Sequence, residues 1–124
     1  MMSLKQFIAK KWAKRAVKET QKWANNPIEM QQKVLEELVH RAKNTEFGKD
    51  HDFDHINTYE DFSERVPISD YEGLRPYIDK VVSGESDILW PDKPLYFSKT
   101  SGTTSGVKYI PISKESMPTH IKVA

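Results

Sequence analysis

The stretch that decides the fold is Phe97-Ser98-Lys99-Thr100-Ser101-Gly102-Thr103-Thr104-Ser105-Gly106-Val107-Lys108-Tyr109-Ile110-Pro111-Ile112. Two short apolar, β-prone runs flank a centre made only of Thr, Ser and Gly, and Lys108 follows this centre. The order predicts a β-hairpin with one strand over residues 95 to about 99 and another over residues 107–112. The loop between them would expose backbone N–H groups, hydroxyls and one ammonium group, which are the donors that an anion such as a triphosphate needs.

The spacing of glycine and lysine in this loop excludes two common phosphate-binding motifs. A Walker loop needs G-x-x-x-x-G-K-[ST], with a helix that begins at the lysine. Here only three residues separate Gly102 from Gly106. Tyr109 follows Lys108, and the residues around it predict a strand. A dinucleotide-binding G-x-G-x-x-G motif is absent as well, so from composition alone a flexible turn without a ligand is the simpler interpretation.

Composition and charge exclude several classes of protein. The chain has 124 residues, a formal net charge of +1 and no cysteine. The small net charge gives no reason to expect nucleic acid as a partner. Without cysteine there can be no disulfide framework, thiolate metal site or cysteine nucleophile, and the cytoplasm is the expected location. No apolar run is long enough to predict a membrane span.

Two amphipathic helices are predicted in the first third of the chain. In the first, over residues 4 to about 24, apolar residues recur on one face and most lysines fall on the other. Asn26-Pro27 ends it and starts a second helix that reaches about residue 43. We expect the two to pack as an antiparallel helical hairpin through Trp12, Trp23 and the leucines.

The basic face of the first helix leaves an alternative function open. A basic amphipathic helix can lie on an anionic membrane or contact a partner protein, as part of a small binding module. The simpler interpretation is a packed helix with a solvated lysine face. The basic residues concerned are Lys10, Lys11, Lys14, Arg15, Lys18 and Lys22.

Residues 44–55 are typical of a polar loop, and two metal sites can be tested there. The acidic residues from Asp50 onward invite a calcium interpretation, but glycine and glutamate are missing at the positions that a calcium loop requires. His51 and His55 lack a third ligand and a helical context, which argues against zinc. A solvated turn is therefore predicted.

Short helices are predicted to follow this loop. Thr58 and Ser69 each begin a capping box, in which an acidic residue three positions later completes the pattern. The helix after Ser69 is expected to break or kink at Pro76, to resume, and to end at Gly84. A second loop, over residues 85–94, leads to the hairpin. The aromatic residues expected in the core are Tyr59, Phe62, Tyr71, Tyr77 and Trp90.

The Thr/Ser/Gly loop also resembles the phosphate loop of adenylate-forming enzymes. The run from Thr100 to Lys108 is similar to the superfamily signature [ST]-S-G-[ST]-[ST]-G-x-P-K, with departures at Ser105 and Val107. The departures fit better with a narrower group, the auxin-responsive acyl-acid amido synthetase family, known in plants and bacteria. Segments that resemble this family's N-terminal signatures, in one order, are Thr45–Gly48, Tyr59–Phe62, Val66–Tyr71, Pro76–Ile78 and Gly84–Trp90. The chain is identified as the N-terminal fragment of a bacterial-type member.

The resemblance implies a parent enzyme that uses ATP and Mg²⁺ to adenylate a carboxylic acid. An amine, commonly an amino acid, then receives the acyl group. The loop would hold the β- and γ-phosphates and stabilise the charge that grows on the departing pyrophosphate. No residue is given a catalytic or metal-binding role. The residues assigned to the phosphates are Thr100, Ser101, Gly102, Thr103, Thr104, Ser105, Gly106 and Lys108.

The expected fold class is α+β and mainly α-helical. A helical hairpin and short helices precede a β-hairpin that carries the phosphate loop, and the whole is expected to be part of a larger α/β adenylating domain. Residues 1–94 would form the helical N-terminal region, and residues 95–124 would begin the adenylating domain. The adenine site, metal-binding carboxylate and acyl pocket are expected beyond Ala124. The fragment is therefore expected to be inactive, to bind no cofactor tightly, and to self-associate through the uncovered hairpin.

Overall fold

A computed structural model describes residues 3–102 and 106–123 of the chain. Within these ranges the chain forms α-helices followed by one antiparallel β-hairpin and a last helix. The mainly helical α+β fold class with a β-hairpin near the C-terminus is confirmed. The helices are α1 (Leu4–Asn25), α2 (Pro27–Ala42), α3 (Glu46–Asp50), α4 (Tyr59–Arg65), α5 (Tyr71–Val82) and α6 (Met117–Val123), with a 3-10 helix at Phe53–His55. The strands are β1 (Tyr96–Gly102) and β2 (Gly106–Ile112).

The chain divides into two compact units, over residues 1–35 and 36–124, and the boundary falls within α2. In the first unit a capping box fixes the start of α1. The Ser3 hydroxyl accepts a hydrogen bond from the backbone N–H of Gln6, and the Gln6 side chain accepts one from the backbone N–H of Ser3. As predicted, α2 begins at Pro27, where a proline costs no helical hydrogen bond.

The tryptophans of the first helix are not buried, contrary to the expected packing. No residue of α1 is buried, and the side chains of Trp12 and Trp23 are 59% and 52% exposed. The predicted apolar stripe of α2 is buried at Val39 and Ala42 but 82% exposed at Ile28. Amphipathic spacing predicts which residues of a helix share a face, but it does not tell whether another element covers that face.

The core of the second unit is formed by the end of α2, the 3-10 helix, α5 and the loop after α5. Thr45 is buried among these elements, and its hydroxyl donates to the carbonyl of Ala42 at 2.7 Å and accepts from the N–H of Gly48 at 3.0 Å. The hydroxyl thereby caps α3 and satisfies its own hydrogen-bonding capacity. The buried apolar residues are Val39, Ala42, Phe53, Ile56, Ile78, Val81 and Ile88.

The segment predicted as a polar loop, residues 44–55, forms α3 and the 3-10 helix instead. The backbone N–H groups of Glu46 and Phe47 donate to the carbonyls of Asp87 and Ile88 at 2.8 and 2.9 Å. The first turn of a helix leaves such donors without a partner inside the helix. Here the loop after α5 supplies the acceptors, so a contact between distant segments stabilises a helix that the local sequence does not predict.

One of the two predicted capping boxes is confirmed, and in place of the other a single residue, the next one along the chain, caps the helix. Thr58 and Asp61 exchange hydrogen bonds at the start of α4. At the start of α5 the cap is Asp70, whose carboxylate accepts from the N–H of Gly73 at 2.9 Å, and not Ser69. Aspartate competes well with serine for this position because its carboxylate also favours the positive end of the helix dipole.

The predicted break at Pro76 is wrong, because α5 continues through it to Val82, while the kink predicted as the alternative stays a prediction. The residues after the proline are held by tertiary contacts. The hydroxyl of Tyr77 donates to a carboxylate oxygen of Asp50 at 2.8 Å, and Ile78 is buried. These contacts offset the hydrogen bond that a proline removes from a helix interior. The predicted end at Gly84 is confirmed, with a positive φ of 97°.

Candidate functional site

The strand pairing brings two of the predicted site residues opposite each other. In the antiparallel hairpin of β1 and β2, Thr100 pairs with Lys108. Directly opposed residues have their side chains on the same face of a hairpin, so this hydroxyl and this ammonium group share a face. The ladder continues to the pair Gly102 and Gly106, so both strands reach further into the Thr/Ser/Gly run than predicted.

Part of the predicted phosphate loop lies outside the described residues, namely Thr103, Thr104 and Ser105. The structure places the backbone of Ser101 and Gly102 in β1, and it places Gly106 at the start of β2. Phosphate binding by this loop therefore stays a prediction.

Gly106 has a backbone conformation that favours glycine. Its φ is 81°, in the left-handed region that side chains other than glycine rarely adopt. No described heavy atom lies within 4 Å of the point where a Cβ would stand. The glycine is thus required by the backbone conformation and not by a close neighbour.

The ammonium group of Lys108 lies over the ring of Tyr71, with Nζ 5.4 Å from the ring centroid. The face of an aromatic ring attracts a cation without neutralising it. Among the described side chains, no carboxylate lies within ion-pair distance of Lys108. This half-buried lysine is therefore held by an aromatic ring and not by a described carboxylate, and its side chain belongs to the face of the hairpin that it shares with Thr100.

The hydroxyl of Tyr71 also contacts the outer edge of β2. It accepts a hydrogen bond from the N–H of Tyr109 at 2.9 Å and lies 3.5 Å from the carbonyl oxygen of the same residue. An unpaired strand edge leaves such backbone groups without partners. Since Tyr71 is the first residue of α5, the start of this helix is attached to the strand that carries Lys108.

A polar cluster fixes the end of the hairpin away from its turn. The Glu115 carboxylate pairs with the Arg41 guanidinium at 3.0 Å and accepts a hydrogen bond from the Trp90 indole N–H at 3.2 Å. The guanidinium carbon also lies 5.7 Å from the Trp90 ring centroid. Hydrogen bonds from its own backbone N–H and from the indole lower the pKa of the Glu115 carboxyl, so it stays charged in this cluster.

Sequence reasoning missed the contact between Tyr71 and the hairpin, because it assigned this tyrosine only to the core. Tyr71 and Tyr109 are 38 positions apart, and no local pattern connects them.

The assignment of Tyr59 to the core was wrong, since its side chain is 65% exposed. Phe62, Tyr77 and Trp90 are half-buried.

Residues 3–102 and 106–123 contain neither a candidate metal site of three or more ligands nor a helix suited to span a membrane. No three His, Asp or Glu side chains lie in a group that could hold a metal ion there. His51 and His55 have other partners, the carbonyl of Phe47 and the carboxylate of Asp52. The same residues include no helix with both the length and the apolar character needed to cross a membrane.

The comparisons with known proteins all point to the same family. The model of the GH3 family N-terminal domain matches residues 16–124. The chain is 32% identical over 105 residues to indole-3-acetic acid-amido synthetase GH3.2 of Arabidopsis thaliana, an alignment that covers 83% of this chain and 19% of that protein. It is 34% identical over 98 residues to indole-3-acetic acid-amido synthetase GH3.15 of the same plant, covering 77% of this chain and 16% of that protein. It is also 34% identical over 85 residues to the 4-substituted benzoates-glutamate ligase GH3.12 of Arabidopsis thaliana, an alignment that covers 68% of this chain and 15% of that protein.

In these alignments the chain spans less than a fifth of the length of each relative. The relatives are amido synthetases or an acid-glutamate ligase by name, in agreement with the resemblance found in the sequence. They are plant proteins, so they give no support to the expected bacterial-type member. Because the matched region includes both strands of the hairpin and every described helix from α2 onward, the chain belongs to the GH3 family through the N-terminal domain of that family.

Proposed function

We propose that the chain is the N-terminal part of an ATP-dependent acyl-acid amido synthetase. Such an enzyme adenylates a carboxylic acid, releases pyrophosphate, and joins the acyl group to an amine or amino acid. Family membership and the names of the relatives support this reaction class. The named relatives act on different acids, indole-3-acetic acid and 4-substituted benzoates, so the proposal extends only to a carboxylic acid as the substrate class.

In this proposal residues 100–108 hold the β- and γ-phosphates of ATP. The observation that carries it is the pairing of Thr100 with Lys108, which places a hydroxyl and an ammonium group on one face beside the turn. The backbone amides of residues 102–104 and the neighbouring hydroxyls would supply the remaining donors. Negative charge grows on pyrophosphate as it leaves, and donors held in place beforehand stabilise that charge.

The residues described here fit a phosphate group better than they fit a metal. Lys108 has no acidic partner among them, so a phosphate can pair with it. The described residues include no group of three or more His, Asp and Glu side chains that could hold a metal ion by themselves, and Mg²⁺ usually enters such a site together with the ATP phosphates. We therefore assign no step of the reaction in this chain to a metal ion.

An amide NMR titration of the whole chain with inorganic tripolyphosphate, and separately with MgATP, tests the phosphate-binding role. We expect shifts confined to residues 100–108. Lys108→Met should weaken tripolyphosphate binding about tenfold, the effect of one lost charge-assisted contact. Lys99→Met is the matched control, because this exposed lysine lies on β1 opposite Tyr109. Absent shifts, or shifts spread over all surface lysines, would contradict the proposal.

The chain by itself is expected to bind polyphosphate without forming an adenylate. Adenylation requires a carboxylate held next to the α-phosphate, whereas the role proposed for the hairpin concerns the β- and γ-phosphates only. Exchange of labelled pyrophosphate into ATP, measured with a panel of carboxylic acids, should stay at the level without protein. Exchange by this chain with any of these acids would show that it also activates a carboxylate.

A second candidate function is binding to an anionic membrane surface through α1. Ile8, Trp12 and Trp23 share one side of this helix, and each is more than half exposed. Most basic residues lie on the opposite side, and Glu19 is the single acidic residue of the helix. Exposed tryptophans beside a basic face are typical of helices that lie in the membrane interface.

Co-sedimentation with phosphatidylserine vesicles tests this second function, with phosphatidylcholine vesicles for comparison. We expect binding to the anionic vesicles only, and loss of binding when Lys10, Lys14 and Lys18 are replaced by Glu. Replacing Lys49, Lys93 and Lys114 by Glu changes the net charge equally but leaves α1 intact, so this variant should still bind. Equal losses in both variants would point to net charge alone and contradict a role for α1.

A further inference from the structure

One tyrosine contacts β2 through two different parts of its side chain. The hydroxyl of Tyr71 accepts the hydrogen bond from the N–H of Tyr109, and the ring faces the ammonium group of Lys108. Because these are neighbouring residues of one strand, Tyr71 contacts both the backbone of β2 and the lysine next to the turn. Tyr71 is itself held in place as the first residue of α5, beside the cap formed by Asp70.

The chemical nature of this partner distinguishes Lys108 from two other lysines of the second unit, Lys43 and Lys80. Lys43 pairs with the carboxylate of Asp54, and Lys80 pairs with that of Glu46. A carboxylate neutralises the ammonium group and competes with an incoming phosphate. An aromatic ring holds the cation more weakly and leaves its charge in place. Lys108 is therefore oriented but still available to an anion.

We propose that Tyr71 is a positioning residue that keeps Lys108 over its ring until a polyphosphate binds beside Thr100 and Lys108, when the ammonium group moves from the ring to a phosphate oxygen. This inference rests on the proposed function of the hairpin. The move exchanges a cation–π contact for a charge-assisted hydrogen bond and breaks no covalent bond. The hydroxyl of Tyr71 keeps the backbone of β2 in place meanwhile, so only the lysine side chain has to rotate.

The ring contact has an NMR signature in the chain without ligand. The ring current of Tyr71 should shift the Cε protons of Lys108 upfield of those of the other lysines. The shift should persist in Tyr71→Phe, which keeps a ring, and disappear in Tyr71→Leu. Tyr59→Leu is the matched control, because Tyr59 is also the first residue of a short helix but is exposed. If the Cε protons of Lys108 show no upfield shift in the unsubstituted chain, the inference is overturned.

The hydroxyl contact is tested separately by hydrogen exchange. Tyr71→Phe removes the acceptor of the Tyr109 N–H and should speed exchange of that amide about tenfold, while the Lys108 protons stay upfield. The amides of residues in the ladder between the strands report whether the hairpin is still folded in each variant. Unchanged exchange at Tyr109 in a folded Tyr71→Phe chain would overturn the role of the hydroxyl.

Addition of tripolyphosphate then tests the transfer of the ammonium group. We expect the amides of residues 100–108 to shift and the Lys108 Cε protons to return toward the values of the other lysines at the same ligand concentration. If the amide signals shift but the chemical shifts of the Lys108 Cε protons do not change, the inference is overturned and the proposed function still stands. Absent amide shifts would instead overturn the proposed function and the transfer with it.

Discussion

Two glycines inside helices, Gly48 in α3 and Gly73 in α5, have different surroundings. A Cβ on Gly48 would lie 2.2 Å from the backbone carbonyl oxygen of Ala42. A Cβ on Gly73 would lie 2.0 Å from the hydroxyl of Ser69, which can rotate away. We expect Gly48→Ala to lower the free energy of unfolding by about 2 kcal/mol or more through overpacking. Gly73→Ala should change it by less than about 1 kcal/mol, because higher helix propensity offsets the adjustment of Ser69.

Urea unfolding followed by circular dichroism measures both of these glycine variants. Equal losses of stability would show that the contact with Ala42 is not what makes Gly48 necessary. Gly48 also ends the Thr45–Gly48 run that resembles a family signature. The close approach of the α2 carboxyl end gives a physical reason for glycine at that place.

Tyr77 is expected to titrate at a higher pH than an ordinary tyrosine. Burial, together with the hydrogen bond to the Asp50 carboxylate, raises the pKa of Tyr77 from 10.0 to about 12. Because the folded state favours the neutral phenol, this stabilisation is present below pH 10 and is lost as the pH rises toward 12. An ultraviolet absorbance titration should therefore show a late transition, which Tyr77→Phe removes. Persistence of the late transition in that variant would assign it to another tyrosine.

At the scale of elements, α5 contains a proline that it does not need for its fold. Pro76 is exposed, so Pro76→Ala leaves no cavity and restores a backbone donor in the helix interior. We expect the free energy of unfolding to rise by about 1–2 kcal/mol, after allowance for the greater entropy of the unfolded chain. Pro27→Ala at the first position of α2 is the control and should change stability little. A loss of stability in urea unfolding of Pro76→Ala would contradict this account.

The elements that could be predicted from sequence are those that local chemistry decides. The capping box at Thr58, the start of α2 at Pro27 and the hairpin around Gly102 and Gly106 all depend on residues close in sequence. The helix α3 could not be predicted, because its first donors are satisfied by carbonyls of residues 87 and 88. The uninterrupted course of α5 depends likewise on tertiary contacts beyond its proline.

The candidate site divides in the same way. The opposition of Thr100 and Lys108 follows from the strand register, which the two predicted strands and the short run between them indicate only approximately. The contact of Tyr71 with Lys108 depends on how α5 docks on β2, and no spacing in the sequence encodes that. Residues that orient a functional group from another element are therefore the ones that sequence reasoning overlooks.

At the scale of the whole molecule, apolar side chains are exposed on the hairpin as well as on α1. Tyr96, Phe97 and Ile110 are 59%, 38% and 44% exposed. The backbone N–H and C=O of Tyr109 point to Tyr71, on the outer edge of β2 and away from β1. Tyr109 pairs with Lys99, and in an antiparallel pair the backbone groups of such opposed residues point in opposite directions. The N–H and C=O of Lys99 therefore point to the outer edge of β1. The described chain contains no further strand that pairs with this edge of β1.

We therefore predict that the chain self-associates by pairing β1 with β1 of a second copy. Light scattering should show a mass that rises with concentration toward that of a dimer or larger species. Lys99→Pro removes an outward donor without removing a hydrogen bond between β1 and β2, so it should keep the hairpin and reduce association. Trp12→Ser on α1 should leave association unchanged. A constant monomer mass, or association that survives Lys99→Pro and disappears in Trp12→Ser, would show that the edge of β1 is not the contact.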